Sequence, residues 1–163
     1  MSCVHGQDPR SSALDHLMSV LPRLPSLKFL LLENVCGFER SEARDLVVTA
    51  LTASGFSLQE FLLCPRQIGV PNSRLRYYLL AKRNQQWSFQ TQEGPITDIA
   101  RLQSVLGGTE MITRPRTLKE FLQKQAEGDT LLSEKVLSKH AQVLDIVRED
   151  SGVSCCFTSG YFR

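Results

Sequence analysis

Lys28-Phe29-Leu30-Leu31-Leu32-Glu33-Asn34-Val35 is a short apolar run without alternation that ends on a polar pair. A run of this length, free of Gly and Pro, fits a strand buried on both faces of a parallel sheet. It sets Glu33 and Asn34 at the strand's carboxyl end. On its amino-terminal side, Ser11 to Leu24 places Leu14, Leu17, Met18, Leu21 and Leu24 largely at helical spacing, and Pro22 and Pro25 close the segment, which predicts an amphipathic helix. On its other side, Ser41 to Ser54 reads as a second helix. Ser41 caps it, Glu42 and Asp45 suit its first turn, Gly55 stops it, and Leu46, Val47, Ala50 and Leu51 form the expected buried stripe. Ser57 to Cys64 and Leu75 to Lys82 predict two further strands, joined by the turn-rich Pro65 to Arg74. A helix-strand-helix-strand-strand order defines an α/β sheet domain.

Beyond Arg83 the character changes. Positions 84–108 are polar and irregular, and only Thr117 to Ala126 and Leu131 to Val147 carry a helical pattern. A boundary near residue 84 therefore separates a sheet region, 1–83, from a mainly helical region, 84–163, whose order depends on packing against something else. With 42% hydrophobic and 22% charged residues, the 163-residue chain has the make-up of a globular domain. A net charge of only +2 excludes the global basic field of a dedicated nucleic-acid binder, so any such contact is local. The first ten residues hold no apolar core of a signal peptide, and no run approaches the roughly 18 apolar residues that cross a bilayer. The expectation is an intracellular chain without membrane association. Five cysteines, an odd number without CxxC spacing, argue for reduced thiols over a disulfide framework or a zinc site.

Two clusters carry chemistry. A carboxylate just past a buried strand sits where open α/β sheets bind ligands, although Glu33 in that place is equally suited to capping the next turn or pairing with a lysine. In Pro71-Asn72-Ser73-Arg74-Leu75-Arg76-Tyr77-Tyr78, Arg74 and Arg76 stand two residues apart at a strand start and so face the same way. Paired guanidinium groups suit a phosphate or carbonyl oxygen, and an exposed strand edge carries arginines as readily.

The combination is more specific. Glu33-Asn34-Val35, about forty residues ahead of Arg74-Leu75-Arg76, resembles in order and spacing the Glu-Asn-Val and Arg-x-Arg motifs of the cytosine-C5 methyltransferases. The longer runs Leu30 to Glu39, Gln59 to Leu63 and Pro71 to Tyr77 resemble the branch of that family that methylates tRNA. Thr117 to Leu122 and Leu144 to Val147 look like its target-recognition region, Cys156-Phe157-Thr158 with Tyr161 like its Cys-Phe-Thr signature, and Asp8-Pro9-Arg10 like its Asp-x-Arg element. The stretch 84–116 matches loosely, and Met1 to His5 match nothing.

The resemblance implies part of a Rossmann-like S-adenosylmethionine-dependent methyltransferase domain, with an incomplete sheet, plus a mainly helical target-recognition region. By that resemblance, 1–83 is the carboxyl-terminal half of the catalytic core and 84–163 a truncated recognition region. In the family a cysteine thiolate adds to C6 of cytosine, C5 takes the methyl group, and a base removes the C5 proton. Glu33 would then hold N3 and the exocyclic amine, Arg76 the ring carbonyl, and Arg74 would orient its neighbour. Asn34, Cys156, Phe157, Thr158 and Tyr161 would face the substrate, a cytosine in a tRNA anticodon loop, and Leu14 would make a weak contact with the adenosyl group of the cofactor. No metal is implied. The resemblance also implies a monomer of the cytoplasm, with the nucleus as a second compartment.

Four family elements have no counterpart here: the Pro-Cys-Gln nucleophile motif, the glycine-rich cofactor loop, the acidic residue on the next strand and the Gly-Asn-Ser element. Cys3 lacks the flanking proline and stands only five residues before Asp8. The expectation is an incomplete cofactor site and an inactive chain. The alternatives are a non-catalytic RNA-binding or regulatory fragment and a fragment of a DNA cytosine-C5 methyltransferase.

Overall fold

The computed structural model describes residues 9–99, 114–123 and 131–155. In chain order it holds α1 (Pro9–Val20) with a 3-10 turn (Leu21–Arg23), β1 (Phe29–Val35), α2 (Glu42–Ala53), β2 (Phe56–Leu63) and β3 (Arg76–Arg83). Further on come a 3-10 turn (Leu118–Glu120) and a short helix, α3 (Glu134–His140). These residues gather into two units, Met1–Leu63 with Leu75–Thr109, and Cys64–Arg74 with Glu110–Arg163.

The first unit is an α/β layer pair. Its sheet runs β1-β3-β2, with β3 antiparallel to both neighbours. Residues opposite one another on antiparallel strands share a face, so Leu30, Leu32, Leu79, Ala81, Tyr77 and Phe56 collect on one side. There they meet Met18 and Leu21 from the α1 side and Val47 and Leu51 from α2, with Leu14 packed half-buried at the margin. Burial of a leucine such as Leu51, wholly out of solvent, contributes about 1.5–3 kcal/mol. Ser41 starts α2 as expected, its Oγ accepting a hydrogen bond from the Arg44 N–H at 3.2 Å, and Gly55 ends it with φ +79°. Ser41→Ala should therefore lower stability by about 1 kcal/mol in urea denaturation, with the fold unchanged.

On the opposite face, Phe61 and Ile96 pack with Leu63, Tyr78, Leu80, Phe89 and Ile99. Ile96 also extends the free edge of β2: the Leu62 N–H donates to the Ile96 carbonyl and the Ile96 N–H to the Glu60 carbonyl, each at 2.9 Å. Among the described residues this cover stops short of β1, where Phe29, Leu31 and Val35 are 62%, 67% and 57% exposed. That corrects the sequence reading of β1 as a doubly buried strand of a parallel sheet. It is an edge strand in an antiparallel pair, alternately half-buried and exposed. The apolar run hid this because its outward residues are as apolar as its inward ones. Leu46, expected in the buried stripe of α2, is 42% exposed, since the stripe narrows to Val47 and Leu51.

The second unit is held by backbone and side-chain hydrogen bonds. The 3-10 turn Pro65–Ile68 ends at Gly69 with φ +77°. Ser73 and Cys155 form a parallel bridge: the Ser73 N–H donates to the Ser154 carbonyl at 2.7 Å, and the Ser154 hydroxyl donates to the Pro71 carbonyl at 2.7 Å. The N–H groups of Leu118 and Lys119 donate to the carbonyls of Ser151 and Glu149. The helices read over Thr117–Ala126 and Leu131–Val147 shrink here to one 3-10 turn and to α3, with 124–130 outside the described residues. Leu122, Leu131 and Ile146 are 59%, 88% and 79% exposed, and without a buried stripe a short helix is not stable. No helix among the described residues is long and apolar enough to cross a membrane.

Candidate active site

Glu33 lies opposite Tyr78, and Arg76 opposite Val35 on one side and Leu63 on the other. Glu33 and Arg76 are therefore diagonal neighbours on the same face of the β1–β3 pair, a spacing long side chains bridge. Arg76 Nε stands 3.4 Å from Glu33 Oε1, and Arg76 Nη1 donates to the Leu75 carbonyl at 2.8 Å. That second bond holds the guanidinium at the head of β3. The Glu33 side chain remains half exposed and that of Arg76 a fifth exposed, so a ligand reaches both. A carboxylate and a guanidinium side by side present acceptors next to donors. They complement a heterocycle edge carrying an amine, a ring nitrogen and a carbonyl.

Behind this pair, on the helical face, lies a buried polar cluster that the sequence reading missed. Arg44 of α2 grips Glu60 of β2 with both sides of its guanidinium, Nε to Oε1 at 2.8 Å and Nη2 to Oε2 at 2.5 Å, while the Tyr77 hydroxyl donates to Glu60 Oε1 at 2.8 Å. Glu60 is 3% exposed and Tyr77 fully buried. Burial pushes the Glu60 carboxyl up, yet the hydrogen bonds from Arg44 and then Tyr77 outweigh it and hold the group below its usual range. Burial, followed by the Glu60 hydrogen bond, raises the Tyr77 hydroxyl. Tyr77 adjoins Arg76 in β3 and points to the other face, so the cluster fixes the strand that presents the arginine. Single-sequence patterning had no means to find it, because its three members lie on three elements.

The other expected residues separate. Asn34 alternates to the face opposite Glu33, and its Oδ1 accepts from the Val35 N–H at 2.8 Å. Arg74 is exposed in the second unit, before β3 begins. Cys156, Phe157, Thr158 and Tyr161 lie outside the described residues. The chain reaches Cys155 with its N–H donating to Asp145 Oδ2 at 2.5 Å and its carbonyl accepting from Asn72 Nδ2 at 3.4 Å. Leu14 packs against the core cluster beneath the sheet. A surface cavity beside α2, lined by Pro22, Ala50, Ser54, Arg83 and Asn84 among others, takes neither Leu14 nor any acidic side chain into its wall. The lining of this cavity offers no carboxylate to a sulfonium such as that of S-adenosylmethionine.

The first unit is thus an α/β domain that carries an accessible carboxylate–guanidinium pair on its sheet. Residues 25–154 match the model of the family described as C-5 cytosine-specific DNA methylase, and the chain belongs to that family. It is 37% identical over 155 residues to the tRNA (cytosine(38)-C(5))-methyltransferase of Spodoptera frugiperda, covering 94% of this chain and 44% of that protein. The crystal structure of a Spodoptera frugiperda DNMT2 mutant superposes with a TM-score of 0.76 at 37% identity, over 98% of this chain and 46% of that one. A DNA (cytosine-5)-methyltransferase of Dictyostelium discoideum is 38% identical over 91 residues, covering 53% of this chain and 24% of that protein. The chain thus spans about half the length of the curated relatives it matches.

Proposed function

We propose that this chain carries the base-recognising part of a methyltransferase that moves a methyl group from S-adenosylmethionine to C5 of a cytosine in a tRNA anticodon loop. The observation that carries the reading is the Glu33–Arg76 pair, 3.4 Å apart on an accessible sheet face. Addition of a thiolate to C6 pushes electron density toward N3 of the ring. A carboxyl group at Glu33 stabilises that density by sharing a proton with N3 and accepting from the exocyclic amine. Arg76 donates to the ring carbonyl and, through the ion pair, keeps the Glu33 carboxyl facing the same edge. The region 84–163 serves target recognition, where unstacked RNA bases are read by stacking and hydrogen bonding. On this reading the sheet is one part of a Rossmann-like core. The likeness to a relative named for tRNA over nearly the whole chain favours RNA over DNA, which the shorter Dictyostelium match supports.

The 163-residue chain has no Pro-Cys pair. Calorimetric titration with S-adenosylmethionine is expected to show no binding. Methyl transfer to tRNA by the chain alone is expected to be absent. Fluorescence anisotropy with a tRNA anticodon stem-loop is expected to show binding that Arg76→Ala weakens about tenfold, or roughly 1.4 kcal/mol. Thermal stability should move by under about 0.5 kcal/mol in that variant, because a partly exposed ion pair contributes little to folding. Equal affinity of wild type and Arg76→Ala would remove Arg76 from the base site.

A further inference from the structure

The second unit holds a cavity of about 250 Å³ that no part of the base-recognition pair uses. Its wall includes Cys64, Arg66, Gly69, Pro71, Arg116 and Gly152. No carboxylate lines it, and two guanidinium groups do. The rest of the wall is Cys64, Val70, two prolines and two glycines, which leave room for a group the size of a phosphate.

The arginines differ in how they are held. Arg116 is fixed in advance: Nε donates to Glu120 Oε2 at 3.1 Å and the guanidinium carbon lies 4.2 Å from the centre of the Phe121 ring. Its two Nη groups have no hydrogen-bond partner among the described residues. Glu120 is shared, for it also takes two hydrogen bonds from Arg114 and one from the Thr117 N–H. One carboxylate thus faces two arginines before Arg66 is counted, and the cavity keeps a positive excess. Arg66 has no side-chain hydrogen bond or ion pair among the described residues, and it rides on the 3-10 turn that Gly69 closes. A fork of donors held by a carboxylate and a ring on one side of a cavity, with an unengaged arginine on another, is the arrangement that grips a phosphodiester.

We infer that this cleft binds a backbone phosphate of the RNA substrate, with Arg116 as the preset contact and Arg66 closing on it. The inference rests on the RNA reading above and adds the residues that anchor the strand. It also reconciles a net charge of only +2 with nucleic-acid binding, since a few placed arginines act where a global field is lacking.

The test is anisotropy of a fluorescent tRNA anticodon stem-loop with the whole chain, titrated across a salt series. Arg66→Ala should weaken binding about tenfold and reduce the slope of log affinity against log salt by about 0.7 to 1, the loss of one phosphate contact. Arg23→Ala, which removes one exposed arginine from the other unit, should change neither value. Arg66→Ala matching the Arg23→Ala control in both readouts would overturn the cleft while leaving the RNA reading standing. A wild-type chain that does not bind the stem-loop at all would overturn both. Inorganic phosphate at millimolar concentration should not displace the RNA; displacement would overturn a strand-anchoring role in favour of a free-anion site. Circular dichroism of Arg66→Ala should match wild type, as the side chain is exposed.

Discussion

Arg44→Met lowers the unfolding free energy by about 3 kcal/mol, the low end of the cost of leaving a buried charge without its partner, and moves the urea midpoint down by about 1 M or more. The reason is that Glu60, only 3% exposed, loses two of its three hydrogen bonds and all of its neutralising charge. Arg44 is itself about a quarter exposed, which sets the effect at the low end. The double change Arg44→Met with Glu60→Leu should recover most of the loss, because an apolar pair of similar volume fills the same site without an orphaned charge.

Acid gives a second reading of the same cluster. The Glu60 pKa in the folded chain lies below its unfolded value. Its contribution to stability is therefore complete above the ordinary carboxylate range, near pH 4.3, and is lost as pH falls through the folded-state value. In Arg44→Met the burial that pushes the carboxyl up meets little opposition, so protonation relieves that variant. The gap in urea midpoint between wild type and Arg44→Met should narrow on going from neutral pH to below pH 4. A gap that stays constant or widens would show that the cluster does not act through its charges.

Glu33→Gln has its largest effect on chemistry. It is best measured in a chimaera in which residues 9–155 replace the aligned segment of the Spodoptera frugiperda relative, which brings the remaining half of the protein. Methyl transfer to tRNA is expected to fall on the order of 10² to 10⁴-fold, the range for loss of a positioned proton-sharing group. Binding of the stem-loop should change far less, because the amide still accepts from the exocyclic amine but does not share a proton with N3. Stability should be unaltered, since Glu33 is half exposed and its ion pair to Arg76 is 3.4 Å long. A Glu33→Gln chimaera as fast as its parent would assign the carboxyl a structural role at the end of β1.

The sequence by itself determined β1, α2, β2 and β3 to within a residue at each end, because each has a local cause: the Ser41 cap, the Gly55 stop, and the strand runs read over Lys28–Val35, Ser57–Cys64 and Leu75–Lys82; α1, read to Leu24, passes into a 3-10 turn after Val20. The resemblance of the sequence's motifs to those of the family also marked Glu33 and Arg76 together. Tertiary structure decided what depends on partners far apart in the chain. The insertion of β3 between β1 and β2, antiparallel to both, brings Arg76 diagonally across from Glu33 and sends Asn34 to the other face. The uncovered face of β1 could not be read from residues that are apolar on both sides. The cluster of Arg44, Glu60 and Tyr77 exists only because α2 lies over β2 and β3, and the late helices shrank where, among the described residues, apolar side chains such as Leu122, Leu131 and Ile146 stay exposed. Local signals fix local backbone, and a site made by side chains from three or four elements is fixed by packing.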